Sequence, residues 1–176
     1  MSIDVLKSAL PDYAKDLKLN LGSLVNETLL DDQKKYGCLL ACAYAIGTPD
    51  IVKNISAETA DKLSPEATKA AKAAAAIMGM NNVYYRSVHL ISNETYTTLP
   101  AKLRMNVIGA PGIDKADFEL FSMAVSAING CGMCLDAHEA ELRKVGMTSE
   151  QIQTSLRIGA VLNAVARVLA AESAAN

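Results

Sequence analysis

Tryptophan is absent from this sequence, and aromatic residues make up only 5% of its 176 positions. The 51% of hydrophobic residues are therefore mainly aliphatic, many of them alanine, and small side chains let helices approach one another closely. Basic clusters are absent too. The formal net charge is −2 and the pI about 5.7, which excludes nucleic acid and anionic membrane surfaces as partners. No long apolar run is present: stretches such as Ala73–Met80 are far short of the ~18 residues of a membrane span. The opening run Met1–Asp16 carries acids early and lacks the apolar core of a signal peptide, so a cytoplasmic location is expected. No stretch alternates with a period of two, which excludes half-buried strands and leaves an all-α fold.

What is present is a series of helix starts and stops. Ser2 can cap a short opening helix, and Pro11 suits the first turn of a second that ends near Gly22. Asp31 and Asp32 favour the start of a helix closed by Gly47. Thr48-Pro49-Asp50 and Ser64-Pro65-Glu66 each place proline at a first helical position. The second opens an alanine-rich helix from Pro65 to about Asn81. Val83–Leu99 reads as irregular, Pro100 can start a short helix up to Gly109, and Ala110-Pro111-Gly112 is a turn. Asp114 precedes a helix to Asn129, broken by Gly130. The next runs from Cys131 or Gly132 to Val145, before Gly146. Thr148-Ser149-Glu150-Gln151 fits a capping box for a last helix to about Ala171.

The length suits a single domain, 1–176, that can bury roughly 70% of its unfolded surface without a metal or disulfide staple. A weak internal repeat runs through it. YGCLLACAYAIG (36–47) resembles ELFSMAVSAING (119–130), and Ser64-Pro65-Glu66 matches Thr148-Ser149-Glu150, both at an offset of about 83. The expected architecture is a compact bundle of two related helical units, about 32–86 and 115–172. The apolar, alanine-rich composition leads to the expectation of an oligomer over a monomer.

Four cysteines are present, at 38, 42, 131 and 134. In a reducing compartment, thiols are more often buried, catalytic or metal-bound than structurally paired. The run Asn129-Gly130-Cys131-Gly132-Met133-Cys134-Leu135-Asp136-Ala137-His138 is the informative one. Gly130 puts Cys131 at a helix N-terminus, where free N–H groups and the helix dipole stabilise a thiolate. Lowering a thiol pKa from ~8.5 to ~7 raises the ionised fraction at pH 7 from a few per cent to half. At ~100° per residue, Cys131, Cys134 and His138 share one helix face, and the Cys134–His138 spacing brings base and nucleophile together. This favours a thiol–disulfide redox pair. Two alternatives are a zinc site completed by Cys38 and Cys42, and inert thiols. Cys38 and Cys42 lie in an apolar helix, where cysteine behaves as a small hydrophobe.

Glu119, Ser122, Ser126 and Asn129 form the one polar stripe of an otherwise apolar helix. The pattern alone places that stripe against solvent. The functional alternative turns it towards the cysteines, with Glu119 orienting His138 and accepting its proton. His89 lies outside any motif and reads as a surface or structural residue.

At these residues the chain resembles the alkyl hydroperoxidase D family, within the carboxymuconolactone decarboxylase-like group. The likeness runs nearly end to end. It takes in Leu6–Leu21, Ala73–Arg86 and Leu103–Ile108, and is tightest over Phe118–Cys134 and His138-Glu139. The resemblance implies an all-α homotrimer with no bound cofactor. It also implies a peroxidase that reduces a partner peroxiredoxin, alkyl hydroperoxide reductase C, with dihydrolipoamide on a lipoyl-bearing acyltransferase as electron source. By the same resemblance, Cys134 is the peroxide-attacking thiolate, Cys131 the resolving thiol, and His138 with Glu119 the proton relay. Members of the family carry histidine just before the second cysteine, where this chain has Met133, so any tuning role of that histidine is absent. Helix-terminus reasoning favours Cys131 as the more acidic thiol, whereas proximity to His138 favours Cys134. A disulfide-exchange adapter without peroxidase activity and a carboxymuconolactone-type decarboxylase stand as alternative activities.

Overall fold

The helices that start at Asp32, Pro49, Pro65, Lys115 and Ser149 do so where a side chain or a proline relieves the free N–H groups of a first turn. The computed structural model describes residues 2–175, and all regular structure among them is helical. In chain order the helices are α1 (Ser2–Ala9), α2 (Lys15–Val25), α3 (Asp32–Ile46), α4 (Pro49–Thr59), α5 (Pro65–Leu90), α6 (Thr95–Thr98), α7 (Asn106–Gly109), α8 (Lys115–Asn129), α9 (Gly132–Lys144) and α10 (Ser149–Ala175). Asp31 accepts from the Lys34 amide at 2.9 Å, Ser64 from Ala67 at 3.1 Å and Asp114 from Ala116 at 2.7 Å. The capping box before α10 forms both ways. The Gln151 amide donates to Thr148 Oγ1 at 3.2 Å, and the Thr148 amide donates to Gln151 Oε1 at 3.0 Å.

Four boundaries depart from expectation. Ser2 is the first residue of α1 and not its cap; the Ile3 amide is satisfied instead by Glu58 Oε2 of α4, at 3.1 Å. Helix α2 continues past Gly22 to Val25, because Leu21 and Leu24 both bury into the core. Its last carbonyl accepts from the buried Lys35 ammonium, which also reaches Glu27 O. Helix α5 runs to Leu90, nine residues beyond Asn81. No glycine or proline stops it there, and contacts of Asn81 and Asn82 inside the protein override the weak helix propensity of asparagine. Conversely, 100–105 is not helical. Lys102 adopts φ 52°, and the short helix begins only at Asn106.

Helices α3 and α8 form the centre, packed on each other and on both α5 and α10. Every residue of 35–43 and of 117–126 is buried, which explains why neither helix shows the one-sided pattern of a surface element. Close approach depends on two glycines. A Cβ at Gly37 would fall inside the Phe121 ring, and one at Gly159 of α10 would lie 2.9 Å from Ala124 O. Lys34 and Gln33 of α3 reach the buried Asp117 of α8 at 3.0 and 2.6 Å. Helix α10 is long and apolar enough, by length and composition, to cross a membrane. In this fold Ile158, Leu162, Val165 and Ala166 face the core, as in the central helix of a globular protein.

Candidate active site

Gly130 creates the site by ending α8. It takes φ 65°, a left-handed conformation that glycine adopts without penalty, and the Cys131 amide then bonds back to Ser126 O at 3.2 Å. Arg86 of α5 donates to the carbonyl of Asn129 at 2.6 Å, satisfying another free group of this helix end. The chain re-enters helix at once. Cys131 is the N-cap of α9, and its carbonyl accepts the first helical bond, from Leu135 at 2.9 Å.

Cys131 and Cys134 are joined as a disulfide, with Cα atoms 5.3 Å apart. Cys131 is fully buried and Cys134 is 7% exposed, so an incoming group reaches the second sulfur first. One turn on, the buried His138 donates its Nδ1–H to Glu119 Oε2 at 2.7 Å. That bond fixes the tautomer and leaves Nε2 as the free basic position. Nε2 is buried and has no hydrogen-bond partner among the described residues.

The polar stripe of α8 is thus turned inward, contrary to the pattern-only expectation. Glu119 meets His138, and the Asn82 amide of α5 donates to Ser126 Oγ at 2.9 Å. Asn129 Nδ2 donates to Asn82 Oδ1, also at 2.9 Å. The stripe is apolar-helix grammar read from the wrong side: its partners lie on α5 and α9, which the periodicity of α8 alone cannot reveal.

Cys134, His138 and Glu119 open onto a cavity of about 300 Å³ between α5, α8, α9 and the 105–108 segment. Its walls are mostly apolar, with Met78, Tyr85, Met105, Ile108 and Met133, and Asn81 adds a buried polar group. At the rim, Glu141 is held between Lys144 at 2.5 Å and Lys115 at 3.6 Å, and the Lys144 hydrogen bond keeps its carboxyl below the usual range. The α5 and 105–108 contributions fall within segments that share the family likeness but carry no chemical motif, apart from two asparagines interrupting an alanine-rich helix.

Cys38 and Cys42 lie elsewhere, fully buried in α3, with the Cys38 thiol 3.7 Å from Leu120 O. Burial pushes both thiols well up from their ordinary range. They do not converge with the second pair, and no group of three or more His, Cys, Asp or Glu among the described residues could hold a metal. His89 is exposed near the end of α5.

Comparison with known proteins shows the family. Residues 94–176 match the carboxymuconolactone decarboxylase family. Over almost the whole chain, relatives named alkyl hydroperoxide reductase AhpD are similar. One from Hyphomonas neptunium is 70% identical, covering 99% of this chain and 97% of the relative. One from Maricaulis maris is 66% identical, covering 98% and 100%. One from Rhizorhabdus wittichii is 61% identical, covering 96% and 97%. At such identity over such length, the chain belongs to the alkyl hydroperoxide reductase AhpD family.

Proposed function

We propose that the chain is a cytoplasmic dithiol peroxidase that reduces organic hydroperoxides through Cys134 and Cys131. Dihydrolipoamide, carried on a lipoyl-bearing acyltransferase, restores the dithiol. The same exchange chemistry reduces a partner peroxiredoxin, alkyl hydroperoxide reductase C, and the working form is a homotrimer. The observation that carries the reading is a buried Glu119–His138 pair, its Nε2 without a partner among the described residues, lining the same apolar cavity as Cys134.

In the reduced protein, His138 Nε2 takes the Cys134 proton, and Glu119 stabilises the imidazolium. The thiolate attacks the terminal oxygen of the hydroperoxide and the O–O bond breaks. Cys134 becomes a sulfenic acid, and the departing alkoxide takes the proton from His138 to leave as an alcohol. The Cys131 thiol then attacks the sulfenic sulfur, forming the disulfide and releasing water. For reduction, a lipoyl dithiol attacks Cys134, the less buried sulfur. Cys131 leaves as a thiolate at the N-terminus of α9, where the helix dipole stabilises it. The second lipoyl thiol then closes on the first, releasing Cys134 and cyclic oxidised lipoamide. The helix terminus therefore serves Cys131 as leaving group, and the histidine serves Cys134 as nucleophile. Both sequence arguments find a place in one cycle.

The test is cumene hydroperoxide reduction by purified protein with dihydrolipoamide, comparing wild type with Cys131→Ser and Cys134→Ser. Turnover is expected only in wild type, with a sulfenic acid trapped on Cys134 in Cys131→Ser. Turnover surviving in Cys134→Ser would sink the mechanism. A wild type inert until the peroxiredoxin is added would identify a disulfide-exchange adapter.

A further inference from the structure

The cavity beside Cys134 contains a polar group that the reaction above does not use. Asn81 is 5% exposed, and its Oδ1 is buried without a hydrogen-bond partner among the described residues. The residue beside it is fully employed: Asn82 bonds Ser126 through its amide nitrogen and Asn129 through its oxygen. Successive helical residues point ~100° apart, so the two asparagines address different neighbours. Asn82 ties α5 to the stripe of α8, whereas Asn81 lines the cavity with Cys134 and His138. Buried acceptors are rarely left alone unless a ligand or solvent meets them.

We propose that Asn81 anchors the substrate of the peroxidase reaction: its Oδ1 accepts a hydrogen bond from the terminal O–H of an apolar hydroperoxide. The inference rests on the peroxidase reading and adds a substrate-binding residue to it. A hydroperoxide has one donor, on the terminal oxygen, which is the atom the thiolate attacks. Holding that O–H fixes the atom over Cys134, and the alkyl-bearing oxygen is then directed to His138 Nε2. When the O–O bond breaks, the terminal oxygen with its hydrogen passes to sulfur, and the imidazolium proton passes to the alkoxide. No further reductant is needed in this step, because the thiolate supplies the electron pair. Met78, Met105, Ile108 and Met133 offer no polar partner to the organic group. The cavity therefore suits a compact alkyl or aryl hydroperoxide over a charged one.

Two measurements test this. In single-turnover reaction of the reduced protein with cumene hydroperoxide, Asn81→Leu, which keeps the branched shape and removes both polar atoms, should react about tenfold or more slowly than wild type. The pH profile of Cys134 alkylation by iodoacetamide should be unmoved in the same variant. An unchanged peroxide rate, or a loss matched by an equal loss of alkylation, overturns the assignment. The second measurement uses wild type alone. Cumyl alcohol, which keeps the hydroxyl donor, should protect Cys134 from iodoacetamide at several-fold lower concentration than its methyl ether. Equal protection by the two overturns the proposal. Because protection needs no peroxide turnover, failure of the peroxidase reading and failure of the anchor are separable.

Discussion

Glu119 illustrates how a single residue depends on partners distant in sequence. Its carboxylate lies 5% exposed in a nearly all-buried helix, and only the 2.7 Å bond to His138 makes that burial tolerable. Buried carboxylates of this kind are costly alone and effective as orienting groups when paired. Glu119→Gln keeps an oxygen acceptor for Nδ1–H but removes the charge that stabilises the imidazolium. Alkylation of Cys134 at neutral pH is expected to slow by about 10²-fold, with its profile displaced to higher pH. Stopped-flow iodoacetamide kinetics on the reduced protein check this, and an unmoved profile would reduce Glu119 to a packing role. Cys131, Cys134 and His138 were legible from spacing because all three sit on one helix, where the angle per residue fixes their relation. Glu119 was visible as part of a polar stripe that pattern alone turned to solvent, and only the family resemblance favoured the inward reading, since its partner is on another helix. Asn81, on a third helix, carried no chemical motif at all.

The same division holds among the elements. Helix starts were readable wherever a local device fixes them, as at Asp31, Ser64, Asp114 and the Thr148–Gln151 box. Where the decision is tertiary, sequence pattern failed. The Val83–Leu90 part of α5 is helical because the helix is held on α8 and α9, and Pro100 starts nothing because the chain there stays exposed. The α3–α8 contact is a further tertiary decision. The two helices, each 15 residues long, meet where Gly37 leaves room for the Phe121 ring. Gly37→Ala should destabilise the protein by about 1–3 kcal/mol through overpacking. Gly79→Ala, in the exposed middle of α5 with open space around its Cβ, should instead be neutral or stabilising by up to about 1 kcal/mol. Thermal unfolding of the two variants beside wild type distinguishes them. A Gly37→Ala protein as stable as wild type would mean that the ring can move aside at no cost.

At the scale of the whole molecule, one segment exposes several large apolar side chains close together in sequence. Residues 91–100 are all exposed, and Ile91, Tyr96 and Leu99 lie there, with Val83 and Leu90 on the adjoining end of α5. Isolated exposed apolar residues are ordinary on proteins, but a run of them on a segment with little packing of its own is the form an interface takes. The patch also continues towards the site: Tyr96 and Leu99 share a cavity with Tyr85 and Met133, two residues that line the Cys134 cavity. Association of copies through this face would shield the mouth of the site from water and order the 91–105 segment that supplies Met105. Light scattering on the eluting protein should give three chain masses for wild type. Tyr96→Asp, which places a charge in the patch without altering Cys134, His138 or Glu119, should shift the mass towards one chain. If wild type runs as a monomer at micromolar concentration, the trimer fails, and the exposed segment must be covered in some other way. If the variant dissociates and also loses cumene hydroperoxide turnover while Cys134 alkylation persists, assembly acts on the substrate cavity and leaves the thiol's ionisation alone.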